Sequence, residues 1–157
     1  MALSGVEVDS ECMKVFDKMK IKKIGNKDRP KMAFFRINKD NTKIEFIEEE
    51  KSDPPHSRSP DDNEAMFELM KGRLIDAEPR YILFDFICKT TAGGSVEKLA
   101  FVSWCSDNAP VKKKMLFAAS KEYLKKKFDG VQIVMEASEK TELSYEELKK
   151  LAVGATK

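Results

Sequence analysis

Residues 104–128 read WCSDNAPVKKKMLFAASKEYLKKKF, and this stretch carries the start and stop signals of one long helix. Asp107 and Asn108 are residue types that begin helices, and Pro110 stands where a first turn tolerates a missing N–H. Three lysines close the stretch, where a helix carries partial negative charge, and Gly130 offers a left-handed stop. The sequence therefore predicts a helix of roughly five turns.

The apolar residues of this helix fall into two groups. The larger group has helical spacing and suits a face packed on a sheet: Leu116, Phe117, Tyr123, Leu124 and Phe128. A smaller stripe, Val111, Met115 and Ala118, lies toward another side among lysines. Spacing alone leaves two interpretations open. Either this is an ordinary core helix with a solvated lysine face, or its second side docks on an acidic protein partner.

Composition predicts a single soluble domain. The chain has 157 residues, of which 41% are apolar and 36% charged, enough for one core of ordinary size. The net charge of +2 gives no global field that would favour nucleic acid. Lysines nevertheless cluster at 14–31 and 112–127, while acids cluster at 45–53, 61–64 and 136–147. Such local patches favour steering toward one partner surface.

Several classes of function are disfavoured. Cys12, Cys88 and Cys105 are far apart, which fits unpaired, buried thiols in a reducing compartment. His56 is the single histidine and is expected in a solvated loop, so a zinc site or a Cys–His pair is improbable. Asp85 lies alone in an apolar run, which favours a structural role over catalysis. With no secretory signal and no bilayer-spanning run, we expect a cytoplasmic protein that is not an enzyme and needs no cofactor or metal.

The rest of the chain alternates between helix and strand patterns. Further helices are predicted from Asp9 to about residue 22, from Asp61 or Asp62 to about Lys71, and from Ser144, which forms an S-x-x-E capping box with Glu147. Strands are predicted at 32–38, 43–50, 80–89, 98–105 and 131–137. This order predicts an α/β (α+β) domain with a mixed sheet of five to six strands and helices on both faces. Residues 1–8 are expected to form a flexible N-terminal arm.

A resemblance to a known family rests on the long helix and its approach. The pattern W-x-x-x-x-A-P-x-K-x-K-M-x-x-A-x-S-K is filled by Trp104, Ala109, Pro110, Lys112, Lys114, Met115, Ala118, Ser120 and Lys121. It resembles the signature of the ADF/cofilin family of actin-binding proteins. Arg-Tyr-x-Leu-x-Asp at 80–85 and Ser-Gly-Val at 4–6 are also similar to family elements. The resemblance implies the actin-depolymerising-factor homology fold over residues 1–157.

The resemblance also implies the site residues. In the family the long helix inserts between two actin subdomains. The residues implied to bind actin monomers and filaments are Ser4, Gly5, Val6, Lys112, Lys114, Met115, Ser120, Glu122, Lys125 and Lys126. Ser4 matches the family's regulatory phosphoserine, although Leu3 adds one residue ahead of it. The implied filament-specific residues are Lys98, Lys149 and Lys150, and Val96 replaces a basic residue often found two positions before the first of them.

The expected partner is therefore actin, as monomer and filament, with severing and depolymerisation of filaments as the activity. Phosphoinositide headgroups are expected to compete for the lysines, and the protein is expected to be monomeric on the actin cytoskeleton. Nuclear import is not predicted, because Lys27, Arg29 and Lys31 are scattered rather than compact. The alternatives are coactosin-like or glia maturation factor-like regulators of the same fold. A basic nucleic-acid binder is disfavoured, since Phe34 and Phe35 lie in an apolar run rather than among lysines.

Overall fold

The computed structural model describes residues 5–20, 30–50, 62–89 and 95–154. The strands are β1 (Glu7–Val8), β2 (Met32–Ile37), β3 (Lys43–Glu50), β4 (Arg80–Lys89), β5 (Ser95–Trp104) and β6 (Ile133–Ala137). The helices are α1 (Ser10–Lys20), α2 (Asp62–Gly72), α3 (Val111–Lys127) and α4 (Tyr145–Gly154), with a 3-10 turn at Lys140–Glu142. Ser4, the loop containing His56, and most of the predicted turns at 25–30 and 92–95 lie outside the described residues.

The six strands form one mixed sheet in the order β1-β3-β2-β4-β5-β6. The β1–β3 and β5–β6 pairs are parallel, and the other neighbours are antiparallel. Ten residues pair between β4 and β5, from Arg80 opposite Trp104 to Lys89 opposite Ser95. Every β4 residue from 81 to 87 is buried, as its density of aromatic and branched side chains requires. The predicted mixed sheet is confirmed.

Helices cover both faces of the sheet because successive strand residues point to opposite sides. On one face, Phe67 of α2 and Leu148 of α4 belong to a buried cluster with Phe84. On the other face, Phe16 of α1 and Phe117 of α3 belong to a second cluster. The predicted two-sided layering is confirmed. It leaves α3 with one flank on the sheet and the other facing outward.

The N-terminal arm differs from its prediction. Glu7 and Val8 form a parallel strand opposite Lys43 and Ile44, and the Val6 side chain is completely buried. The prediction of a flexible arm through residue 8 is therefore wrong for residues 6–8. The edge of β3 supplies backbone partners there, and burying the valine side chain removes apolar surface from water.

Two buried charged residues, Lys31 just before β2 and Asp85 in β4, are neighbours. Asp85 is fully buried, and its backbone N–H donates to the carbonyl of Lys31 at 2.9 Å. Lys31 is also fully buried, with its Nζ 5.2 Å from the centroid of the Phe84 ring. This enclosed position fits the structural role predicted for Asp85.

Candidate functional site

The outer side of α3 is exposed along the smaller apolar stripe. Val111 is 69% and Met115 is 67% exposed, and Lys112 is exposed beside them. Lys114 is half-buried, and its Nζ donates to the Asp107 carbonyl at 3.3 Å. We call Val111, Lys112, Lys114 and Met115 the α3 flank. This exposure is what the docking interpretation requires, and it is also compatible with a solvated lysine face.

The inner side of α3 is fixed to the sheet through Tyr81. The Tyr81 ring stacks on Phe117 with centroids 4.0 Å apart and planes 8° apart. Its hydroxyl donates to the Phe117 carbonyl at 2.5 Å. Burial raises the pKa of Tyr81, so the phenol stays protonated and remains a donor. Phe117, Ser120 and Leu124 are the buried residues of the helix.

Ser120 was predicted to extend the exposed surface, but it is completely buried. Ser120 is five residues after Met115, and at about 100° per residue it lies on nearly the opposite side of the helix. The helical period therefore already indicated that Ser120 is buried. Glu122 and Lys126 are seven and eleven residues from Met115 and share its side. Both are exposed, and Lys125 lies 3.9 Å from Glu122 as an ion pair. These three residues continue the side of the α3 flank.

The start of α3 is held by a residue that the sequence reasoning missed. Ser106 Oγ donates to the Asp76 carboxylate, and Asn108 Nδ2 donates to Asp76 Oδ2 at 2.9 Å. These two hydrogen bonds lower the pKa of Asp76. Trp104 Nε1 also donates to the Ile75 carbonyl at 3.1 Å, so three hydrogen bonds accepted by residues 75 and 76 hold the approach to α3 in place. No local pattern pointed to Asp76, because it is about thirty residues away in the chain.

The predicted side-chain cap of α3 is wrong. The N-cap is Pro110, and no side chain caps the helix. Asn108 instead directs its side chain to Asp76, while its own backbone N–H donates to Ser106 Oγ at 3.1 Å. At the other end, Gly130 has φ 102°, the left-handed conformation predicted for it.

The arm lies at the sheet edge beside the β2–β3 turn. The Glu7 N–H donates to the Thr42 carbonyl at 3.0 Å, and the Asp9 N–H donates to the Ile44 carbonyl at 2.9 Å. Gly5 is exposed with φ 83°, whereas Val6 is buried and so does not present its side chain to a partner. Ser4 lies outside the described residues.

The three filament-specific candidates do not share one environment. Lys98 is only 2% exposed, and its Nζ donates to the Ala152 carbonyl at 2.9 Å. It therefore ties α4 to the sheet, which corrects its prediction as a surface cation. Lys149 and Lys150 are exposed on α4, with Lys149 Nζ 5.8 Å from the Tyr145 ring centroid.

Across residues 5–20, 30–50, 62–89 and 95–154, no group of three or more His, Cys, Asp or Glu side chains is placed to hold a metal ion. In those same ranges, no helix combines the length and apolarity needed to cross a membrane. Burial raises the pKa of Cys12 to about 12, which makes this thiol a poor nucleophile.

Comparison with known proteins agrees with this arrangement. The family model described as cofilin/tropomyosin-type actin-binding protein matches residues 5–152. Actophorin from Acanthamoeba castellanii is 30% identical over 142 residues, covering 90% of this chain and 91% of that protein. The crystal structure of Plasmodium berghei actin depolymerization factor 2 matches with a TM-score of 0.77 and 29% identity, covering 97% of this chain and 99% of that one.

A more distant structure shares the fold alone. Coactosin from Entamoeba histolytica matches with a TM-score of 0.75, covering 98% of this chain and 99% of that one, at 14% identity.

The family assignment combines three observations: the six-stranded sheet, the exposed flank of the long helix, and the family match over residues 5–152. The chain belongs to the ADF/cofilin family of actin-binding proteins.

Proposed function

We propose that the α3 flank and the N-terminal arm form the surface that binds actin, both as a monomer and as a filament subunit. The observation that carries this proposal is the 67% exposure of Met115 on a helix whose opposite side is buried. An unbranched apolar side chain left in water beside two cations is typical of a protein docking surface. In this proposal, Lys112 and Lys114 pair with actin carboxylates and Met115 supplies adaptable apolar contact.

The surface extends along α3 and onto the arm. Glu122, Lys125 and Lys126 continue it toward the end of the helix, and Gly5 continues it ahead of β1. Ser4 is proposed to contact actin because of the family resemblance. Val6 contributes by anchoring the arm, because its side chain is buried. The protein acts as a monomer on the cytoplasmic actin cytoskeleton in this proposal.

Filament binding requires a second surface, which we assign to α4. Lys149 and Lys150 are exposed there, whereas the Lys98 ammonium is already bonded to the Ala152 carbonyl. Severing then follows without bond chemistry: tighter binding to one filament twist shifts subunits toward it and weakens their lengthwise contacts. The burial of Lys98 leaves fewer cations at this surface, which favours the alternative of a coactosin-like regulator that binds without severing.

Two assays on the wild-type protein test this function and separate the alternatives. Sedimentation with actin filaments measures binding, and fluorescence microscopy of filament length measures severing. Binding with progressive shortening supports a severing cofilin, and binding at constant length supports the coactosin-like alternative. Absence of sedimentation with filaments contradicts the proposed binding to filament subunits.

Phosphorylation of Ser4 is proposed as the regulatory switch of the arm. A phosphate adds about −1.5 to −2 charges, and an acidic actin surface repels it. We expect Ser4→Glu to weaken monomer binding about tenfold, measured by fluorescence of labelled actin, while Ser4→Ala binds as wild type does. Equal affinities of the Ser4→Glu and wild-type proteins for actin monomers would contradict regulation by phosphorylation of Ser4.

Phosphoinositide headgroups are proposed to compete with actin for the α3 flank. Their phosphates suit Lys112 and Lys114, and such electrostatic binding weakens with added salt. Vesicles containing phosphatidylinositol bisphosphate should release the protein from actin in a sedimentation assay at low salt. Phosphatidylserine vesicles of equal total charge are the control. No release by either vesicle contradicts lipid regulation, and equal release by both contradicts headgroup selectivity.

A further inference from the structure

Lys113 belongs to the same lysine run as Lys112 and Lys114 but faces another way. Its Nζ donates to the Asn38 carbonyl at 2.9 Å and to Asn41 Oδ1 at 2.6 Å, both in the β2–β3 turn. Two residues at about 100° each place it well away from the side of Met115. It is half-buried, whereas Lys112 is exposed. This ammonium group therefore joins α3 to the turn.

The turn that receives Lys113 is closed by its own hydrogen bonds. The Asn38 side chain accepts from the backbone N–H groups of Thr42 at 2.9 Å and Lys43 at 3.2 Å. Asn41 has φ 59°, a left-handed conformation that asparagine tolerates better than most residues. Its N–H donates to the same Asn38 carbonyl that Lys113 contacts, at 3.1 Å. Lys113 thus bonds to two groups that define the shape of the turn.

The same turn also holds the N-terminal arm. The Glu7 N–H donates to the Thr42 carbonyl at 3.0 Å, one residue after Asn41. The β1 strand is only two residues long, so its position depends on very few backbone bonds. Lys113, the turn and the arm therefore form one continuous chain of contacts from α3 to Glu7.

We propose that Lys113 is a positioning residue that couples the N-terminal arm to α3, so that the two parts of the actin-binding surface dock as one unit. This inference rests on the proposed function, because both parts belong to that surface. Lys113 itself does not contact actin. It fixes the spacing between the arm and the α3 flank before binding, which lowers the conformational entropy lost on binding.

Lys113→Met tests the coupling because it keeps most of the aliphatic stem and removes all three donors. Lys39→Met is the matched control, since Lys39 is an exposed lysine of the same turn and its loss changes the net charge equally. Amide hydrogen exchange by NMR is measured on the protein without actin. We expect about tenfold faster exchange of the Glu7 amide in Lys113→Met and no change in Lys39→Met. Unchanged exchange in Lys113→Met overturns the proposal.

The effect on actin is tested by combining Lys113→Met with a variant that begins at Val6 and so lacks the outer arm. In the full-length chain, Lys113→Met is expected to weaken monomer binding about tenfold. In the shortened chain, the same substitution should have almost no effect on monomer binding, because residues 1–5, the part of the arm proposed to contact actin, are absent. Equal weakening in both chains means that Lys113 acts without the arm, which overturns the proposal. Thermal unfolding of all four proteins checks that each is folded.

The exchange experiment separates failure of this inference from failure of the proposed function. Faster Glu7 exchange establishes the link between α3 and the arm whether or not either part binds actin. A second protein, with both Lys112→Ala and Lys114→Ala, tests the α3 flank directly. Suppose that Lys113→Met accelerates Glu7 exchange without changing actin affinity, and that this double variant loses binding. The arm is then not part of the surface, and the coupling has no functional role. If that double variant also binds normally, the α3 flank itself has been wrongly assigned.

Discussion

Replacement of Lys112 and Lys114 together by alanine is expected to abolish co-sedimentation with actin filaments. Truncating one partner of a desolvated charge pair at an interface typically costs 2 kcal/mol or more, so about 3 kcal/mol for the two together is a low expectation. That corresponds to an affinity loss of roughly a hundredfold. The fold should survive, because Lys112 is exposed and Lys114 makes one long hydrogen bond of 3.3 Å to the Asp107 carbonyl. We expect thermal unfolding within about 4 °C of wild type.

The control for this prediction removes two lysines from elsewhere on the surface. Lys127→Ala with Lys140→Ala deletes the same charge from exposed positions outside the α3 flank. Because long-range steering depends on net charge, this variant shows how much binding is lost through charge alone. Equal sedimentation of the flank variant and the control would refute the assignment of the flank.

Tyr81→Ala is expected to produce the largest loss of stability among the substitutions considered. The side chain is completely buried, stacks on Phe117 at 4.0 Å and lies 5.9 Å from the Phe101 ring centroid. Removing a buried aromatic ring costs about 3–5 kcal/mol, a large part of the stability of an ordinary domain. For a chain of this length, we expect the melting temperature to fall by roughly 10–15 °C, measured by circular dichroism.

Tyr81→Phe separates the ring from its hydroxyl. It keeps the stacking on Phe117 and removes the donor to the Phe117 carbonyl, a loss of about 1 kcal/mol. The melting temperature should therefore fall by only about 2–4 °C. A Tyr81→Ala protein that melts as wild type does would contradict the packing of α3 against β4.

Much of the fold was predictable because its signals are local. β3 and β4 occupy the predicted residues 43–50 and 80–89, where branched and aromatic side chains are dense. β5 begins at Ser95 rather than at residue 98, because pairing with Lys89 extends the ladder beyond the apolar run. β1 was missed because two residues carry no periodicity, and its position depends on the edge of β3.

The candidate site was predictable to a different degree at each residue. The burial of Phe117 follows from helical spacing, whereas spacing alone left the role of the side that carries Met115 open. The burial of Ser120 follows from the same helical period. The family resemblance had instead assigned this residue to the exposed surface. Asp76 had no local signal, since its partners Ser106 and Asn108 lie in a different loop.

The sequence by itself determined that this chain forms helices over a mixed sheet and that α3 has an apolar stripe among cations. These properties follow from the spacing of side chains a few residues apart, which the local backbone geometry converts directly into faces. Only the tertiary structure decided what each lysine does. Lys112 faces solvent, Lys113 bonds to the turn at Asn38, and Lys98 bonds to the end of α4. The hydrogen-bond partners of Lys98 and Lys113 are 54 and 75 residues away in the chain. Only long-range packing brings such groups within hydrogen-bonding distance.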